Sequence, residues 1–182
     1  MRNYAAFALI LGLCCLPGLA QTSSSTTDNS DGPIRGDVAV GYSYVHLTNG
    51  GQAQSFNGGS LSGAYNFTQF VAAAADFDFA HANLYGVGEN IMTYTAGPRF
   101  FYRDGRFTPF AEFLFGEGTT SASAYGSSVA STNFTFTMLG GMDYTLNKKG
   151  SFAVRPEVAY VHVNSSPVTS GVHLGVGIAY HF

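Results

Sequence analysis

Residues 134–144 read Phe134-Thr135-Phe136-Thr137-Met138-Leu139-Gly140-Gly141-Met142-Asp143-Tyr144. The even positions are Phe, Phe, Met, Gly, Met and Tyr, while the odd ones include Thr135, Thr137, Gly141 and the charged Asp143. Successive side chains of a strand point to opposite faces, so this is a strand with one apolar and one polar face.

The same alternation runs outward in both directions. Upstream lie Val38, Val40, Tyr42 and Tyr44; Leu61, Gly63, Tyr65 and Phe67; Val71, Ala73, Ala75, Phe77 and Phe79; Met92, Tyr94, Ala96, Pro98, Phe100 and Tyr102; and Phe107, Pro109, Ala111, Phe113 and Phe115. Downstream come Phe152, Val154, Pro156, Val158 and Tyr160, then Val172, Leu174, Val176, Ile178, Tyr180 and Phe182. That makes eight segments. The intervening positions hold small or polar residues and every charge assigned to the segments: Asp37, Asp76, Asp78, Arg99, Glu112, Asp143, Arg155 and Glu157.

Two faces so unlike require two environments. A charged side chain facing lipid at the bilayer midplane costs about 2–4 kcal/mol, which accounts for a face without charge. A soluble ligand carrier would turn that face inward, but an eight-stranded interior cannot hold roughly twenty large aromatics, whereas Gly, Ala, Ser and Thr fit. Composition agrees: 10% of residues are charged, against about 25% in ordinary soluble domains. Spanning strands must close on themselves, so the expected fold is an all-β, eight-stranded antiparallel up-and-down transmembrane barrel over residues 34–182.

The N-terminus adds a compartment. Arg2, the apolar run Tyr4–Leu16, and Gly18 and Ala20 before Gln21 read as a secretory signal peptide over residues 1–20. Cys14 and Cys15, the only cysteines, lie within it, so the exported chain is expected to carry no disulfide and no cysteine-held metal. Leu13 precedes them where a lipobox wants a small residue. Residues 21–33, rich in Ser and Thr, read as a disordered tether.

Connections alternate between short (66–69, 103–106, 145–150) and long (46–55, 80–90, 116–133, 162–170). Short periplasmic turns and long surface loops follow this rhythm in outer-membrane barrels, with both termini in the periplasm. Asp104-Gly105 is expected to form a type I′ turn that pairs Arg103 with Arg106 and sets Arg99 diagonally across from Glu112. The loop 116–133 reads as flexible and exposed. Pro98, Pro109 and Pro156 lie in the proposed strands, so each is expected near a strand end or a bulge.

Among residues that might carry chemistry, the lumen charges stand out. Arg99, Glu112, Asp143, Arg155 and Glu157 are expected to form an ion network, since a charge left buried and unpaired is costly. Its expected role is to plug and stiffen the barrel. No enzyme is indicated: His162, Asn164 and Ser165 depart from the His-x-Ser pattern of a lipid A deacylase, and no acidic residue follows Glu157. His46, His81, His162, His173 and His181 are too dispersed for a metal site, and no cofactor is implied. With a net charge of −3 and no Arg/Lys run, nucleic acid is not an expected partner.

At residues 35–182 the chain resembles the small eight-stranded OmpA/OmpX-like outer-membrane barrels. The resemblance rests most on Gly177, Tyr180 and Phe182, which are similar to the terminal signal read by the barrel-assembly machinery, although Gly175 stands where a polar residue is usual. Ala96-Gly97-Pro98-Arg99-Phe100 and Gly140-Gly141-Met142-Asp143-Tyr144 also resemble recurring family segments. The resemblance implies outer-membrane lipids as surroundings, the assembly machinery and periplasmic chaperones as partners in biogenesis, and a surface ligand met through the loops. It implies a structural or interaction role, with a narrow low-conductance channel or a lipid A-modifying enzyme as alternatives. Peptidoglycan anchoring is not implied.

Overall fold

The computed structural model describes residues 34–182 apart from 50–51, 85–86, 125–126, 148 and 167. The signal peptide and tether inferred for residues 1–33 lie outside the described residues. Eight strands follow one another: β1 (Gly36–Asn49), β2 (Gln52–Asn66), β3 (Val71–Leu84), β4 (Val87–Phe101), β5 (Phe107–Ala124), β6 (Ser127–Thr145), β7 (Phe152–Val163) and β8 (Thr169–His181). Each pairs antiparallel with its sequence neighbour, and β1 pairs with β8, so the sheet is a closed barrel. An even strand count in such a barrel puts the start of β1 and the end of β8 at one rim, together with the turns 67–70, 102–106 and 146–151. The opposite rim carries the other four connections.

The alternation read from the sequence sorts the side chains between the two faces. Val40, Leu61, Phe77, Phe100, Phe115, Met138, Val158 and Leu174 lie on the outside, exposed in the isolated chain. Arg99, Glu112, Thr135, Asp143 and Arg155 are buried in the lumen. The outer face is bounded at the terminal rim by paired aromatics, Tyr65 with Phe67, Phe70 with Tyr102, Phe107 with Tyr144, and Phe152 with Tyr180. Toward the other rim the Tyr44 hydroxyl lies 2.8 Å from Ser55 Oγ, and that of Tyr94 donates to Glu117 Oε2 at 2.9 Å. Tyrosines with an apolar ring and a bonded hydroxyl suit a boundary between hydrocarbon and water.

Two expectations change. The segments taken as long loops are largely strand: β5 and β6 continue as a hairpin from Gly116↔Thr135 to Ala124↔Ser127. Ser, Thr, Ala and Gly carry no apolar stripe to announce a strand, and backbone pairing with the facing segment supplies the order instead. Glu117 consequently sits on a strand and on the outer face, the one Asp, Glu, Lys or Arg so placed among the described strand residues. It lies in this extension, directly opposite Tyr94.

The turn after β4 also shifts by one residue. Asp104, not Arg103, closes the hairpin, exchanging N–H···O bonds of 2.9 Å with Phe107. Gly105 then takes the first central position with φ of 58°, the positive φ that primed hairpin turns need there. Arg99 therefore falls directly opposite Glu112 rather than diagonal to it.

Two of the three prolines interrupt a ladder, but the register is the same on both sides of each, so neither forms the bulge that was the alternative to a strand end. The β4–β5 pairing passes from Ala96↔Phe115 to Arg99↔Glu112 across Pro98. The β6–β7 pairing passes from Gly141↔Glu157 to Tyr144↔Val154 across Pro156. Pro109 stays in register with Met142 near the start of β5.

Candidate functional site

The lumen is stratified along its axis. Nearest the terminal rim is an ionic layer. Arg99, from β4, donates through Nη1 to both carboxylate oxygens of Asp37 on β1, at 2.9 and 2.8 Å, and through Nε to Glu112 on β5. Arg155, from β7, donates through Nε to Asp143 Oδ1 and through Nη2 to Asp143 Oδ2, each at 2.7 Å. Its Nη2 also reaches Asp37 Oδ1 at 2.7 Å, so Asp37 joins the two arginines. His181 Nε2 stands 3.1 Å from Asp143 Oδ2, and Ser62 Oγ accepts from Arg155 at 3.3 Å.

Of the five residues expected in an ion network, four are thus held in one connected cluster. Glu157 forms no ion pair among the described residues; its carboxyl lies over Gly175, where an added Cβ would come within 2.5 Å of Oε1. The central carboxylate, Asp37, was placed on the lumen face by its parity but not in the network. Sequence reasoning followed hairpin neighbours, and Asp37 reaches the arginines across the barrel. The register in which β1 meets β8, rather than the fact of closure, is the information that was lacking.

Packing holds these charges. Phe110 lies between the two guanidinium groups, 4.7 Å from that of Arg99 and 4.9 Å from that of Arg155, distances at which a ring face attracts a cation. The ring itself needs Gly141: a Cβ there would stand 2.5 Å from Phe110 Cζ. Gly141→Val is therefore expected to destabilise the folded barrel by about 1–3 kcal/mol through overpacking. A urea titration in micelles checks this, and Gly140→Val is the control, because a Cβ at Gly140 meets nothing within 4 Å.

Above the ionic layer the lumen is acidic. Asp76, Asp78 and Glu157 line it together with the buried Thr95, Thr135, Ser43 and His173. Asp78 accepts from Thr93 at 3.2 Å, whereas Ser43 Oγ, Asp76 Oδ1, Glu112 Oε2 and His173 Nε2 have no hydrogen-bond partner among the described residues. At the far rim Val45, Leu47, Phe56, Ala80 and Ala82 form an apolar cluster, with Ile91 packed on it. The lumen is thus blocked by salt bridges at one end and by hydrocarbon at the other. The apolar cluster was not legible beforehand, since Leu47, Ala80 and Ala82 lie in segments read as loops and Val45, Phe56 and Ile91 only just outside them.

The residues matched to an assembly signal lie along β8 where it closes on β1. Gly177 faces Gly41 on one side and Arg155 on the other. Tyr180 packs on Phe152, with ring centroids 5.1 Å apart, and Phe182 accepts backbone bonds from Arg35 and Gly36 at 2.6 and 3.1 Å.

This barrel, with its aromatic outer belt and plugged lumen, defines a small membrane-spanning β-barrel. Residues 6–182 match the outer membrane protein beta-barrel domain, and the chain belongs to that family. Its location is accordingly the bacterial outer membrane. Solved structures with the same fold include Neisserial surface protein A, NspA, with 13% identity, a TM-score of 0.69, and coverage of 81% of this chain and 97% of that one. Ail, the attachment invasion locus protein of Yersinia pestis, shows 16% identity and a TM-score of 0.62 over 81% and 97% of the two chains. OprG of Pseudomonas aeruginosa shows 15% identity and a TM-score of 0.55 over 83% and 98%. Among curated proteins no sequence match is found.

Proposed function

We propose that the protein is a structural and interaction barrel: its lumen is a rigid plug, and its activity resides in the hairpins at the rim opposite the termini. The observation that carries this reading is the double closure of the lumen, ionic below and apolar above, beneath a β5–β6 hairpin that extends well beyond the neighbouring β7. Chemistry in the interior would need a substrate to enter, and both entrances are filled. This supports a non-enzymatic role. The terminal rim, with its short turns, faces the periplasm, and the hairpins face outward.

Orientation is tested with epitopes. One inserted between β5 and β6 is expected to bind antibody on intact cells, and one placed at Gly150 only after permeabilisation; the reverse pattern overturns the reading. Function is tested by trimming the hairpin between Gly118 and Asn133. Cells carrying the trimmed protein are expected to keep a folded barrel yet lose the surface attachment that the full chain confers. Attachment unaffected by trimming would contradict it.

The charge at this rim narrows the ligand. A solved structure of Ail, 17% identical to this chain with a TM-score of 0.60, is in complex with the heparin analogue sucrose octasulfate. In the present chain no Lys or Arg lies between Arg35 and Arg99, between Arg106 and Lys148, or after Arg155, and both Arg99 and Arg155 are in the lumen. The outward rim therefore lacks the cations that a polysulfate needs. Retention of the folded protein on heparin resin is expected to be no greater than that of a neutral control, and salt-dependent retention would refute this.

A narrow channel is the second reading, favoured by the acidic residues Asp76, Asp78 and Glu157 in mid-lumen. It requires both plugs to open, which bilayer conductance measures directly.

A further inference from the structure

Lys and Arg are placed unevenly on this barrel. Among the described residues they occur in the lumen, as Arg99 and Arg155, and at the terminal rim, as Arg35, Arg103, Arg106 and Lys149. Against these four stands one exposed acidic side chain at that rim, Asp104, since Asp37 and Asp143 are buried and already held by the lumen arginines. The terminal rim is therefore cationic.

The four cations divide by what they touch. Arg103 turns over the lumen mouth, its guanidinium 4.5 Å from the centre of the Phe101 ring, in a recess it shares with Asp37, Asn66, Asp143 and His181. Arg35, Arg106 and Lys149 are exposed and form no ion pair among the described residues. They stand at the start of β1, in the β4–β5 turn and in the β6–β7 turn, spread round the rim instead of converging on one spot. A discrete anionic ligand needs convergence, whereas an annulus of lipid does not.

Each of the three also adjoins the apolar belt of the outer face. Arg35 donates its backbone N–H to Phe182 O, Arg106 precedes Phe107, whose ring packs on Tyr144, and Lys149 lies in the turn between Leu146 and Phe152. Phe182, Phe107, Leu146 and Phe152 are all exposed. Long basic side chains keep their stems on such a surface while the charged head reaches water and headgroups. Hydrocarbon with a cation just beyond it is the order in which a phospholipid presents its acyl chains and its phosphate.

We propose that the terminal rim is a docking ring for the anionic phosphate headgroups of phospholipids, held by Arg35, Arg106 and Lys149 beyond the apolar belt. Arginine meets phosphate oxygens with a fork of donors and lysine as a point charge. The proposal goes beyond the reading of the opposite rim as an interaction surface and does not depend on it.

The test refolds the full chain into phosphatidylcholine vesicles and measures, with spin-labelled lipids, how strongly phosphatidylglycerol associates with the protein relative to phosphatidylcholine. Phosphatidylglycerol is expected to associate about fivefold more tightly, the effect of one Lys or Arg near an anionic surface. Salt at about 1 M is expected to bring the ratio close to one by screening. The combined variant Arg35→Gln, Arg106→Gln and Lys149→Gln, with Lys148→Gln because it adjoins Lys149 in sequence, is expected to lose the preference. Arg103→Gln is expected to keep it. Heat-modifiability verifies that each variant is folded, and the salt series on the wild-type protein decides alone if the combined variant is not.

A wild-type ratio near one overturns the proposal, as does a preference that survives the combined substitution or about 1 M salt. Loss of preference in Arg103→Gln alone also overturns it, because the lumen mouth then holds the headgroup. Inorganic phosphate at matched ionic strength is expected to leave the ratio unchanged, and a fall would mean a site for the free ion, contrary to the proposal. Both leaflets of these vesicles carry the probe, so the result is independent of orientation: if the lipid preference holds while the intact-cell epitopes give the reverse pattern, the reading of the outward rim falls and this inference stands.

Discussion

Arg155→Ala is expected to lower the stability of the micelle-folded barrel by about 3–5 kcal/mol, the cost of breaking a buried ion pair from one side. Arg155 is 1% exposed and is the shared donor to Asp37 and Asp143. Its loss leaves Asp143 with only His181 and leaves Asp37 with only Arg99. The comparison that isolates the effect is Arg155→Met with Asp143→Leu. Replacing both partners by apolar groups of similar size removes the desolvation penalty along with the attraction, and such exchanges are often neutral or stabilising. Urea titrations of the three proteins decide. A double variant as unstable as Arg155→Ala would mean that the arginine acts through packing against Phe110, not through its charge.

Val158→Arg is the second large effect, about 2–4 kcal/mol of destabilisation in a bilayer. Val158 lies midway along β7 on the outer face, between Gly140 and Leu174. A barrel with water outside would tolerate arginine there at little cost, so the sign and size of the change report which medium meets this face. Refolding into vesicles of graded urea concentration measures it. Ser170→Arg, on the same outer face near the outward rim, is the companion, with an expected cost of about 0–1 kcal/mol because the penalty falls toward the interface.

These two substitutions also mark what could be read from the sequence. Val158 belongs to a pattern of period two that needs only local information, and the outer face, the strand count and closure all follow from that pattern. The partners of Arg155 do not. Asp143 sits across one short turn and was legible, but Asp37 is 118 positions away and joins the layer only when β8 meets β1. The loop-end hairpins failed for another reason: Gly116–Asn133 has no apolar stripe, so a strand ordered by backbone pairing resembles a flexible loop in composition.

Asp76, Asp78 and Glu157 lie between an ionic and an apolar plug. Among the described residues seven lumen-side carboxylates, Asp37, Asp76, Asp78, Glu89, Glu112, Asp143 and Glu157, face two lumen arginines, Arg99 and Arg155. The excess charge sits away from the guanidinium groups. A lumen filled by salt bridges at one end and by hydrocarbon at the other supports the proposed structural role over transport.

The measurement that tests this account most directly is single-channel recording of the refolded wild-type protein in planar bilayers, after its folding has been verified by a heat-dependent shift in gel mobility. A heat-modifiable protein that produces no resolved conductance steps is the predicted result. Sustained, discrete openings from that same preparation would contradict it, and would mean that Arg99, Arg155 and the Phe56 cluster line a working pore.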